Sequence, residues 1–127
     1  MKKLLVLLLL VLSYGFQAQT KQSITGIWKL AKVIKVDGIS ASKLKAGKQA
    51  LEGNVILSFN EDGTFRSTAF SNKEVKTWTF QKKTKTISIK GQSEKLKVKI
   101  LNFKPRHMRV KMQLSRSVVG EFLLVKN

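Results

Sequence analysis

The 127-residue chain has no cysteine, which excludes disulfides, thiolate metal sites and a lipid-modified cysteine behind a leader. Its stability must therefore come from its core. Histidine is nearly as scarce: His107 stands alone, and neither Ser115 nor Ser117 is placed to form a nucleophile–base pair with it. The seven acidic residues, Asp37, Glu52, Glu61, Asp62, Glu74, Glu94 and Glu121, are scattered among turns and ends. Paired-carboxylate catalysis would need two of them to converge by accident. The expectation is a protein that is not an enzyme and holds no cofactor. Met108 and Met112 beside His107 read as gap-fillers of a core strand and not as haem ligands.

Long apolar runs are also missing. The longest, Leu4–Leu12, has nine residues, against about 20 for a helix that spans a bilayer. It follows Lys2-Lys3 and precedes Ala18-Gln19, the layout of a secretory signal peptide. The expected organisation is a signal peptide over residues 1–19 and one domain over 20–127, a monomer exported to the periplasm or beyond with no stable membrane insertion.

Abundant instead is positive charge. Lysine and arginine number 25, and the formal charge of +18 falls by two, to +16, without Lys2 and Lys3. Such a field favours anionic partners. For an exported domain these are an anionic glycan or lipopolysaccharide; nucleic acid is not expected. The cations are spread along the chain, so a solvated coat is the plainer reading.

From Gly26 onward the chain is a succession of short strands. Trp28, Leu30, Ile34 and Val36 share one parity, broken at Lys32, where a bend or bulge is expected. Residues 39–53 read as a long connection with one helical turn at most, placed as a lid over one barrel end. Val55, Leu57 and Phe59 then share a face with Phe65, Ser67 and Ala69 across Glu61-Asp62-Gly63, a three-residue loop with glycine where a left-handed residue is needed. Trp78 and Phe80 match Ile89 and Ile87 across Lys82–Lys85, and these match Leu96 and Val98 across Gly91–Glu94. Leu96, Val98, Ile100 and Asn102 face Leu114, Met112, Val110 and Met108 across Lys104-Pro105-Arg106. A slip of one residue would turn every apolar side chain outward. The reading is eight strands, near 27–36, 54–60, 64–70, 76–81, 86–90, 95–103, 107–115 and 121–126, closing into an all-β antiparallel up-and-down barrel.

Gly26-Ile27-Trp28 at the start of the first strand, the hairpin Leu57–Phe65 and Thr77-Trp78-Thr79-Phe80 together resemble the small bacterial lipocalin-like proteins. The resemblance implies a binding barrel in which Trp28 closes one end. The Thr-Asp pair of the second lipocalin motif is replaced by Lys104-Pro105-Arg106, and no helix follows the last strand.

Eight strands leave an interior that side chains fill or that holds one small ligand. The residues expected to line such a site are Trp28, Leu30, Phe59, Phe65, Ser67, Ala69, Trp78, Phe80, Val98, Val110, Met112 and Phe122. Ser67 and Ala69 are the small ones, expected opposite Phe80 and Trp78. A second candidate is the outer stripe Lys95, Lys97, Lys99, Arg109 and Lys111, with Lys99 opposite Lys111, Arg109 opposite Leu101 and Phe103 on the same face. Three functions remain open: a carrier of a small apolar or amphipathic molecule, a polyanion-binding module with a solid core, and a secreted hydrolase inhibitor.

Overall fold

Apolar residues alternate with lysines along most of the chain, and each strand buries one parity of that alternation. β7 is the plainest case: Met108, Val110 and Met112 are buried between exposed neighbours. The computed structural model describes residues 21–69, 75–92 and 94–127, so the expected leader and Glu74 lie outside it. The elements are α1 (Lys21–Ile24), β1 (Gly26–Asp37), α2 (Ala41–Leu51), β2 (Ile56–Phe59), β3 (Thr64–Ser67), β4 (Lys76–Gln81), β5 (Thr86–Lys90), β6 (Lys95–Lys104), β7 (His107–Gln113) and β8 (Val119–Lys126). The strands pair in chain order, and β8 returns to β1 to close the barrel. All eight pairings are antiparallel, so no edge is left among them.

Most of the expected register holds. Phe59 pairs with Phe65, Trp78 with Ile89, Phe80 with Ile87, Ile87 with Val98 and Ile89 with Leu96. The β2–β3 turn is closed by Asn60 N–H to the Thr64 carbonyl at 2.9 Å and Gly63 N–H to the Asn60 carbonyl at 3.0 Å. The Thr64 hydroxyl and N–H donate to Asp62 Oδ1 at 2.6 and 3.0 Å. These bonds hold the Asp62 carboxyl below its ordinary range. Their contribution is present above the unfolded pKa and fades as pH falls through the folded one.

Gly63 has φ +90°, and a Cβ there would meet nothing within 4 Å. Gly63→Val therefore tests backbone conformation alone. It should cost about 1–2 kcal/mol, read as a lower thermal midpoint; an unchanged midpoint would remove the turn from the account.

Five expectations fail, each for a local reason. Residues 39–53 hold an eleven-residue helix, α2, and not a single turn. Ser40 caps it, its Oγ accepting Lys43 N–H at 3.4 Å. No α2 residue is fully buried, so the apolar pattern is too weak to announce a helix. In β1 the register against β8 slips between Leu30 and Lys32 and again between Val33 and Lys35. The first bulge is the one expected near Lys32. It turns Val33 inward and leaves Ile34 42% exposed, reversing the expected parity, and the second bulge returns Val36 to the inner side.

A third slip, between Ile100 and Asn102 of β6, sets Asn102 beside Arg109 and Phe103 beside Met108. The extra residue undoes both the Asn102–Met108 and the Arg109–Leu101 pairings and carries Phe103 off the outer face. Lastly, β3 and β4 meet through Thr64–Thr77 and Phe65–Lys76, so Ser67 and Ala69 do not oppose Phe80 and Trp78. β3 ends at Ser67, and β7 ends at Gln113, leaving Leu114 51% exposed although it was expected to face inward.

The interior falls into two halves. At one end α1 tucks under the barrel and Ile24 is fully buried. Trp28 Nε1–H donates to the Ile24 carbonyl at 2.8 Å, and the ring lies 6.2 Å from that of Phe103. Lys126 Nζ sits 5.6 Å above the Trp28 ring and reaches the Ser23 carbonyl at 3.3 Å. Trp78 Nε1–H donates to the Asn60 carbonyl at 2.9 Å, while Phe59 touches Trp78 edge-on at 5.2 Å and Phe65 at 5.0 Å. This end is plugged. The other end, reached by α2 and the β7–β8 turn, is not filled in the same way.

Candidate functional site

At that second end lies an apolar cavity of about 210 Å³, partly open at the mouth. Leu30, Leu51, Val55, Leu57, Phe65, Ser67 and Ala69 line it together with Ile89, Leu96, Met112, Leu114 and Phe122. For scale, an apolar cavity of about 150 Å³ admits benzene. Twelve described residues meet here from eight segments, α2 and seven of the eight strands with their flanks.

Among the described residues that line it, Ser67 alone has a side-chain nitrogen or oxygen, and its Oγ accepts Ala69 N–H at 3.1 Å. Among the described residues no buried side-chain nitrogen or oxygen lacks a hydrogen-bond partner. Apolar surface that is not met by apolar atoms forgoes dispersion contacts, so a guest that fills the space gains them.

The twelve expected lining residues divide by level. Leu30, Phe65, Ser67, Ala69, Met112 and Phe122 do line the cavity. Trp28, Phe59, Trp78, Val98 and Val110 are buried in the plugged half, and Phe80 is half-buried against the same core. Leu57, Ile89, Leu96 and Leu114 had the inward parity and belong with the first group. Leu51 was not anticipated, and Val55, although placed on the shared inward face, was not among the expected lining residues. Leu51 arrives on α2, docked where Gly53 N–H donates to the Leu30 carbonyl at 2.7 Å.

A second recess, about 460 Å³, adjoins the first and shares Ile89, Leu96 and Leu114 with it. Its other lining residues are Lys76, Gly91, Glu94, Lys95 and Gln113. Lys76 points inward from the top of β4, with its side chain only 7% exposed. Its Nζ lies 3.4 Å from Oε2 of Glu94, whose own side chain is 65% exposed. The sequence carried a signal for this lysine, since Lys76 shares the parity of Trp78 and Phe80.

Of the outer stripe, the Lys99–Lys111 pairing forms, while the Arg109–Leu101 pairing and the outward Phe103 do not. Lys95, Lys97, Lys99, Arg109 and Lys111 are all exposed, and Lys99 lies directly opposite Lys111. Like charges so placed repel, but Lys111 has Glu121 on its other side. Phe103 is not the stripe's aromatic, because it packs against Trp28 inside. A shallow concavity of about 290 Å³ on the outer wall joins Arg109 to Asn102, Lys104, His107 and Leu123. His107 stands at the plugged end, while Ser115 and Ser117 lie in the turn between β7 and β8 at the other. Among the described residues no three His, Asp or Glu side chains gather where a metal ion could sit.

These features define a closed eight-stranded up-and-down barrel, packed at the Trp28 end and holding an apolar cavity at the other. No family model, no curated protein and no solved structure matches the chain.

Proposed function

We propose that the protein is a non-enzymatic, lipocalin-like carrier that holds one small apolar or amphipathic molecule at the open end of its barrel. The leader-like sequence of residues 1–19 supports a place of action outside the cytoplasm. The observation that carries the reading is the cavity of about 210 Å³, lined by apolar side chains apart from Ser67. Small barrels of eight strands hold such guests, and the plugged end makes the open one the way in.

The test is a titration with a neutral naphthylamine fluorophore. The protein should bind it one to one, and Ser67→Phe, which puts a ring into the cavity from β3, should weaken binding by at least about tenfold. Circular dichroism should show the Ser67→Phe variant still folded. Absence of probe binding by the parent protein would refute the carrier reading.

A further inference from the structure

The placement of Lys76 is unusual for a chain whose other cations are mostly exposed. An ammonium withdrawn from water is costly unless an anion meets it. One anion that meets it is Glu94, from the turn between β5 and β6, and Glu94 is itself mostly in solvent. The pair stands at the edge of the apolar cavity: Phe65, which lines the cavity, is the register partner of Lys76, and Ile89, Leu96 and Leu114 belong to both recesses. An apolar space and a sheltered cation thus share one wall.

We propose, building on the carrier reading above, that the guest is an amphipathic anion. Its tail occupies the apolar cavity, and its carboxylate takes the place of the Glu94 carboxylate at Lys76. Glu94 is the resident stand-in. Its own side chain is 65% exposed on a turn, so Glu94 returns to water readily; the cost of parting the pair falls on the buried Lys76 and is met by the incoming carboxylate. The ammonium then exchanges one carboxylate for another and is never left without a counter-ion. Lys95, on the same recess, adds a second positive group near the headgroup.

Size narrows the tail. At about 30 Å³ per methylene-sized group, close to the liquid volume of one water molecule, a cavity of about 210 Å³ holds roughly seven such groups. That describes a short single chain better than a long or doubled one.

The experiment compares octanoate with octan-1-ol, which has the same number of carbons and no charge, by displacement of the neutral naphthylamine probe. Octanoate should bind at least about tenfold more tightly than octan-1-ol. Lys76→Met should erase that preference to within about twofold and leave octan-1-ol unchanged. Glu94→Gln, at an exposed turn position, should strengthen octanoate binding and spare octan-1-ol; it keeps the test open should Lys76→Met fold poorly. Equal affinities for the two chains, or equal changes for both in the Glu94→Gln protein, would overturn the proposal while leaving the carrier intact. A protein that binds neither chain nor the probe would overturn both.

Discussion

Trp28→Ala is expected to lower the thermal midpoint by well over 10 °C. The side chain is fully buried, its indole N–H holds the Ile24 carbonyl at 2.8 Å, and Phe103 and Lys126 pack on its ring. Truncating a buried tryptophan costs about 3–5 kcal/mol. Domains of this size have about 5–15 kcal/mol in all and lose roughly 4–8 °C per kcal/mol. The loss should reach beyond the ring itself, because the indole holds α1 together with the buried Ile24 and the Lys126–Ser23 bond. Trp28→Phe separates packing from hydrogen bonding: it keeps an aromatic ring but leaves the Ile24 carbonyl without its donor, at about 1–3 kcal/mol. A midpoint for Trp28→Ala within about 5 °C of the parent would mean that the indole does not anchor this end.

Gly38→Val should be the second most damaging change, and its origin is at the opposite end. Gly38 has φ +94°, a conformation that costs an L-residue about 1–2 kcal/mol. A Cβ built there runs into the Ser117 carbonyl group and comes within 3.3 Å of Val118 Cα. All of these are backbone atoms, so no side chain can rotate away, and overpacking adds about 1–3 kcal/mol. Gly38→Ala meets the same collision, so it too should be destabilised. The check is denaturant unfolding of both variants; if alanine is tolerated, Gly38 and the β7–β8 turn are not pressed together as described.

Much of the barrel was legible because a strand's side chains repeat every two residues. Leu57, Phe59 and Phe65, or Trp78, Phe80, Ile87 and Ile89, cannot be shifted by one without turning outward. What escaped were the residues that break the count. The bulge after Ile100 adds one residue to β6, and nothing in Leu101-Asn102-Phe103 says which of the three is extra. Likewise Val33 and Ile34 are chemically alike, so composition does not choose which goes inside. The β3–β4 register depends on the path of residues 68–75, where alternation lapses. Helix α2 hid because Leu44 and Leu51 pack only partly against the core. For the candidate site, sequence gave the inward residues but not their height along the barrel axis. Height decides that Phe65 bounds a cavity while Trp78, also inward, sits in the plug. Lys76 was readable by parity and was passed over because lysine is so common outside.

The closing seam between β1 and β8 also has a consequence in time. Residues 26–37 pair with residues 119–126, nearly a hundred positions away along the chain. Hairpins such as Leu57–Phe65 form among near neighbours and need only short loops to close. The seam must wait for both ends to meet, after the loop-closure entropy of almost the whole domain has been met. Chains dominated by such distant pairings fold in milliseconds to seconds, not microseconds. Before the seam forms, β1 and β8 are both open edges that a second copy could join. Crowding during refolding should therefore favour joined copies over closed rings, and dilute refolding should favour the single barrel.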